Sequence, residues 1–326
     1  MRIVSNEAKL RERIGPCRCS LVWPLERATV VSDAILFQSA EESGVEMTVP
    51  VTITSERKSF FAYRDFSPEI VERLASEFRL AEPFSHLVFE NFLNLTPAQM
   101  ADVYPAPDSP DWNKRRDFYQ SGKMYCRDTD IIPPLISSML YELSAPPFLR
   151  FLESVSGIAG LIPDPYYEGG GLHCSAPEGV LMPHTDSHYY ERLRLYRRIN
   201  VLLYLNPEWE ESFGGCLELW KKGASQPARL VIPKWGTCVI FRTDDRSVHG
   251  FSTPVGKGHW RRSLALYYYS SHDTVRFSGD PYIYWQQHGK HTGMNRLRIR
   301  CYQLLTRAAR RLSALAHQAN PNKEPR

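Results

Sequence analysis

No run of 18 or more apolar residues occurs in the 326-residue chain, which argues against an ordinary membrane-spanning helix. The opening stretch MRIVSNEAKLRERIG carries charge but neither an apolar core nor a small-residue cleavage site, so no secretory signal is expected. Cysteine is sparse and unpatterned. Seven residues, an odd number, are scattered as Cys17, Cys19, Cys126, Cys174, Cys216, Cys238 and Cys301. One C-x-C pair is a weak metal signal, and reduced thiols in a cytoplasmic protein are the plainer reading. No internal repeat is visible. With 43% hydrophobic and 23% charged residues, the composition is that of a folded globular protein large enough for a substantial core.

The net charge of +4 is unevenly placed. From Pro281 onward there are nine Lys or Arg against the single acid Glu324, so the rest of the chain is net acidic. Between Met294 and His317, Leu297, Cys301, Leu304, Leu305, Ala308, Leu312 and Leu315 follow helical spacing, with Arg296, Arg300, Arg307 and Arg311 largely on another face. Such a basic amphipathic helix over 294–317 either lies on an anionic membrane surface or docks its apolar stripe on the domain. Aromatics are not interleaved with the arginines, so no nucleic-acid partner is expected.

Residues 1–55 give a mixed pattern with no assignable role. Ser67, Pro68 and the apolar series Ile70, Val71, Leu74, Phe78 predict a capped helix. A strand is expected over 86–93, and Thr96 with Gln99 forms a capping box. A Pro- and Asp-rich loop spans 104–115, and 131–155 reads as helix interrupted near Pro146-Pro147. From about Gly160 to Ser271 short β-rich runs appear: 180–186, 199–205, 216–220, 229–232, 237–242 and 263–269. Their number and spacing predict a sandwich or barrel. The expected organisation is an extension over 1–82, a β domain over 83–280 and a basic tail over 281–326.

Within the β region, His184 and Asp186 stand two residues apart at the end of a predicted strand. Their side chains therefore share a face and can grip one ion. A third ligand is expected from another strand, and His249 follows the run 237–242 and a turn. Two imidazoles and a carboxylate leave neighbouring positions of an octahedral ion open, the arrangement of non-heme iron oxygenases. H-x-D alone is weak; the strand that follows strengthens it. There Arg261, Ser263 and Ala265 share one face, a cationic fork beside a hydroxyl and a small residue, which suits a carboxylate. The opposite face carries Arg262, Leu264 and Leu266, so Arg261 is preferred over Arg262. By the same parity Asn200, Leu202 and Tyr204 share a face, and the amide and phenol can complete the socket or form a structural pair at the strand edge.

These residues resemble a known family. The series His184-Thr-Asp186, then Asn200 to Tyr204 with Leu-Asn-Pro-Glu-Trp209, Gly214-Gly-Cys-Leu-Glu-Leu-Trp220, His249-Gly and Arg261-Arg-Ser263 is similar to the prolyl 4-hydroxylase-like branch of the 2-oxoglutarate/Fe(II) oxygenases, over roughly 83–271. The resemblance implies a mainly β fold with supporting helices around a double-stranded β-helix, or jelly roll. It implies Fe(II) on His184, Asp186 and His249, and 2-oxoglutarate held by Arg261 with Tyr204 and Ser263. The implied enzyme is a dioxygenase that hydroxylates an unactivated C–H with release of succinate and CO2; ascorbate is a further cofactor to test. Some relatives carry a tyrosine near the oxoglutarate about ten residues before the first ligand. The stretch here is Gly171-Leu172-His173-Cys174, which leaves that part to His173, to Cys174 or to neither.

The substrate is less legible. Arg192, Arg194, Arg197 and Arg198 crowd the segment after the first ligand and point either to an anionic substrate or to a solvated basic loop. His188 and His259 are expected outside the ligand set. Substrates consistent with the resemblance are prolyl residues in peptides, free amino acids, or the sugar acid Kdo of a lipopolysaccharide, the last at the inner face of a membrane. A non-catalytic jelly-roll binding protein is the alternative from another class, and a zinc hydrolase on the same ligands a third. The intact ligand set and Arg261 argue against the binding protein, and the hydrolase gives Arg261 and Tyr204 no purpose.

Overall fold

The computed structural model describes residues 59–117 and 119–272, the backbone of 284–285, and eight positions between 297 and 315. The chain divides into two units, Met1–Lys58 and Ser59–Arg326. The first lies outside the described residues, as do most of the tail and the expectations made for residues 1–55. Helix α1 (Pro68–Leu80), grouped by sequence with the extension, belongs to the second unit and packs on α4 (Pro146–Ser156).

The elements after α1 are β1 (His86–Phe89), α2 (Pro97–Met100), β2 (Asn113–Arg115), β3 (Gln120–Cys126), α3 (Pro134–Ser144), α4, β4 (Ile162–Pro163), β5 (Gly171–Thr185), β6 (Tyr189–Tyr190), β7 (Leu195–Tyr204), β8 (Leu217–Trp220), β9 (Arg229–Val231), β10 (Cys238–Arg242), β11 (Val248–Phe251), β12 (Arg261–Ser270) and β13 (Tyr284–Trp285). Local chemistry sets the helix ends. Ser67 accepts from the Ile70 amide at 3.4 Å, and Pro68 occupies the first turn. Ala145, before Pro146, is held extended at ψ 155°, which separates α3 from α4 where the sequence predicts the interruption.

The strands run antiparallel in the order β1-β10-β7-β12-β5-β11-β8-β9. The sheet curls into a nearly closed jelly roll because β5 serves both halves. Its first residues pair with β12 on one side and β3 on the other, while Leu181 and His184 pair with β11. The strand is longer than the predicted 180–186, and the strands that were not expected include β3 and β11, which carries His249. Parity along β12 divides the environment. Leu264, Leu266 and Tyr268 face the helices, in a core with Met139, Leu143 and Phe148. The Tyr268 hydroxyl donates to the Leu143 carbonyl at 2.8 Å. Arg261, Ser263, Ala265 and Tyr267 face the cavity inside the roll.

In the tail, Leu297, Cys301, Leu304, Leu305, Ala308, Arg311, Leu312 and Leu315 have helical backbone and are exposed, the leucines by 57–70%. Among the described residues no helix is long and apolar enough to cross a membrane.

Candidate active site

Three buried residues converge at the mouth of the roll. His184 sits near the end of β5, Asp186 follows β5, and His249 lies directly opposite His184 on β11. One potential ligand atom from each falls within 4.8 Å of the other two. Each imidazole is turned by its own backbone: His184 Nδ1 donates to the Met182 carbonyl at 2.9 Å, and His249 Nδ1 to the Ser247 carbonyl at 3.0 Å. A carbonyl only accepts, so each ring carries a proton on Nδ1 and turns Nε2 inward. Both Nε2 atoms lie 3.8 Å from an Asp186 oxygen. Two imidazoles turned through Nε2 toward one carboxylate are a donor set that fits a first-row divalent ion.

Asp186 is positioned in turn. Asn200 Nδ2 donates to Oδ2 at 3.0 Å, the Tyr267 hydroxyl approaches Oδ1 at 3.4 Å, and Arg197 Nη1 stands 3.8 Å from Oδ1. Burial works to raise this carboxyl's pKa, but His249, Arg197 and His184 outweigh it and hold it below the ordinary range. Burial, with His249 beside it, pushes His184 down to about 3. The unfolded chain takes that proton near 6.5. Between about pH 6.5 and 3 the unfolded state therefore binds more protons, and stability falls as the pH falls. Metal-free protein is expected to melt at progressively lower temperature from pH 7 to pH 4, and His184→Gln to flatten that slope. A melting temperature rising toward acid would contradict this.

On the far wall, Arg261 is buried and fixed. Its Nε donates to the Gly215 carbonyl at 2.6 Å and its Nη2 to the Tyr204 hydroxyl at 3.0 Å, and its guanidinium lies 4.4 Å from the Phe251 ring centroid. Ser263 is opposite both Tyr204 and His173. The glycine pair of the G-G-x-L-x-L block explains itself here. A Cβ on Gly214 would meet the Pro254 carbonyl at 2.0 Å, and one on Gly215 would meet Arg261 Cδ at 3.1 Å; both glycines have positive φ. Trp209 Nε1 donates to the Gly214 carbonyl, and buried Glu218 accepts from the Ser252 and Thr253 amides, fastening the turn that covers Arg261. Gly214→Ala is expected to cost about 1–3 kcal/mol from backbone strain alone, read as a lower denaturation midpoint.

The remaining sequence candidates fall in varied places. Asn200 lines the cavity, but its amide nitrogen is spent on Asp186, and its buried Oδ1 has no hydrogen-bond partner among the described residues. Arg262 leaves the cavity and lies 5.0 Å from the Tyr104 ring centroid. His173 faces the cavity and donates through Nε2 to the Gly170 carbonyl, whereas Cys174 is buried in the apolar core, its thiol pushed up to about 12 by burial. Arg197 stacks 3.8 Å from the Tyr267 ring centroid beside Asp186, and Arg192 lies 3.6 Å from that of Tyr166. Arg194 is exposed. None of these three arginines lines the cavity. Tyr267 escaped the sequence reading although it continues the Arg261 parity. Ser175 escaped it because β5 begins well before the predicted strand, and Lys123 because nothing in the sequence announced β3.

Residues 170–269 match the family model described as the 2OG-Fe(II) oxygenase superfamily. The chain is 34% identical over 77 residues to prolyl 3-hydroxylase OGFOD1 of Xenopus laevis, covering 22% of this chain and 15% of that protein. It is 27% identical over 197 residues to the Mus musculus protein of the same name, covering 58% of this chain and 33% of that one. It thus spans a third or less of the length of the curated relatives it matches. Among solved structures, a Pseudomonas putida prolyl-4-hydroxylase superposes with a TM-score of 0.46 at 16% identity, over 61% of this chain and 98% of that one. The matched segment begins just before β5 and ends within β12, and so contains all three metal-ligand candidates and Arg261. The segment that carries the candidate site is thus similar to the 2OG-Fe(II) oxygenase superfamily.

Proposed function

We propose that this protein is a Fe(II)- and 2-oxoglutarate-dependent dioxygenase that hydroxylates an unactivated C–H bond and releases succinate and CO2. The observation that carries the reading is the pair of imidazoles turned by backbone carbonyls onto Asp186, in one cavity with a fixed arginine. His184, Asp186 and His249 would hold the iron, which supplies the oxygen-activating chemistry when bound. Arg261, steadied by Tyr204 and Gly215, receives the distal carboxylate of oxoglutarate, with Ser263 beside it. The buried walls keep water from the reacting centre. No protein acid or base is required.

The named relatives are prolyl 3-hydroxylases, which makes prolyl peptides the first substrates to test. The support for an anionic substrate narrows to Arg192 and Arg194, because Arg197 is committed beside Asp186 and Arg198 donates to Ser270 and the His272 carbonyl. The assay is succinate release from oxoglutarate, with Fe(II), across prolyl peptides, free amino acids and acidic glycolipids, using His184→Ala as the blank. Release above the blank with at least one substrate class is the expected result. Oxoglutarate-indifferent hydrolysis or metal-free ligand binding would instead favour the hydrolase or binding-protein alternative.

A second reading concerns location. Exposure of Leu297, Leu304, Leu305, Leu312 and Leu315 together with the surrounding arginines supports a tail helix that lies on an anionic bilayer. The full chain is expected to co-sediment with phosphatidylglycerol vesicles at low salt but not with phosphatidylcholine vesicles. Leu304→Glu with Leu312→Glu is expected to abolish this binding.

A further inference from the structure

One charged side chain in the cavity has no part in the chemistry above. Lys123, on β3, lines the same cavity as His173, Ser175, His184, His249 and Arg261. Register accounts for its direction. Lys123 is opposite Ser175, and Ser175 is opposite Arg261. Directly paired residues project from the same face, so Lys123, Ser175 and Arg261 form one row across three strands.

The backbone around Lys123 is built for that placement. Pairing between β3 and β5 jumps from Ser121–Val180 to Lys123–Ser175, so 176–179 are looped out of register. Gly122 has φ +66°, and a Cβ there would stand 3.0 Å from Gly179 Cα. The looped segment is fastened to the other wall, with the Glu178 amide donating to the Val255 carbonyl at 2.7 Å. Bulges of this kind re-aim the adjacent side chain.

Among the described residues, no hydrogen bond or ion pair reaches the Lys123 ammonium. Burial lowers its pKa to about 8, opposed chiefly by Asp186. Its charge also acts on His184 and, together with that of Arg261, on His173, while Arg261 acts on Tyr204 and Cys174 as well. Lys123 thus stands within electrostatic reach of the metal-ligand candidates, with one strand between it and Arg261. A partly desolvated ammonium without a partner gains a charge-assisted bond when a carboxylate arrives.

We propose that Lys123 is the second carboxylate anchor of the cavity, binding through Nζ the carboxylate beside the keto group of a 2-oxo dicarboxylate whose far end is held by Arg261. This rests on the oxoglutarate reading above. It assigns a positioning role to a strand outside the 170–269 segment shared with the family model.

Calorimetric titration of the Mn(II)-loaded full chain with three ligands tests it: oxoglutarate, 2-oxopentanoate, which lacks the distal carboxylate, and 4-oxopentanoate, which lacks the one beside the keto group. Lys123→Met should weaken oxoglutarate and 2-oxopentanoate roughly ten- to hundredfold while leaving 4-oxopentanoate within about twofold. Arg261→Met should show the converse pattern, and Lys123→Arg should retain most of the affinity. Lys123→Gln replaces the Met variant if melting shows that the latter does not fold. Weakening of 4-oxopentanoate alone would place the lysine at the distal carboxylate, and unchanged affinity for all three would assign it to another ligand; either overturns the proposal. Failure of the unsubstituted protein to bind oxoglutarate would overturn the oxoglutarate reading instead.

Discussion

Asp186→Ala is expected to eliminate oxoglutarate-dependent turnover and to weaken metal binding by more than the roughly 10- to 100-fold that follows loss of an outer-shell partner. Asp186 is the anionic member of the triad, and four neighbours are organised around it: both imidazoles at 3.8 Å, the Asn200 amide and Arg197. Removing the carboxylate leaves the Arg197 charge buried beside the ion without the Asp186 carboxylate to offset it, so the site becomes much less attractive for a cation. Asp186→Asn keeps the shape but loses the charge, and should be nearly as damaging. Metal content after dialysis, measured beside a melting curve, separates a lost ligand from a lost fold. Near-stoichiometric metal in folded Asp186→Ala protein would show that the ion sits elsewhere.

Arg261→Met is expected to raise the Kd for oxoglutarate about a hundredfold, the scale of a buried charge-assisted contact. Arg261→Lys should recover little. The guanidinium uses Nε on the Gly215 carbonyl and Nη2 on the Tyr204 hydroxyl, and an ammonium cannot reproduce that fork. Tyr204→Phe should cost only severalfold, since it removes one neutral partner and leaves the charge. Calorimetry on the metal-loaded proteins gives the ranking. Equal effects of Arg261→Met and Tyr204→Phe would mean that the arginine is a structural support and not the anion site.

Much of this site is legible in the sequence because strand parity is a local rule. The two-residue spacing of His184 and Asp186, and the alternation Arg261, Ser263, Ala265 against Arg262, Leu264, Leu266, follow from the period of a strand without knowledge of its neighbours. The same rule extended two residues would have reached Tyr267. Asn200 shows where parity stops: it places the amide on the cavity face but does not say which neighbour the amide meets. That depends on β7 crossing close to the end of β5, a tertiary fact. Lys123 was invisible for a stronger reason. It stands on a strand with the sequence QSGKMYC, whose face is set by the Gly122–Gly179 irregularity and by pairing with a partner about fifty residues away. The arginine-rich segment after Asp186 was legible as charge but not as direction; Arg197 and Arg198 turn into the protein, and only Arg192 and Arg194 stay exposed.

Oxoglutarate affinity measured without oxygen, with and without Fe(II), decides whether metal and oxoglutarate share one cavity. Binding should be much tighter in the presence of Fe(II), and His184→Ala should lose that difference while the weaker, Arg261-dependent binding persists. An oxoglutarate affinity that is the same with and without Fe(II) would contradict a shared cavity.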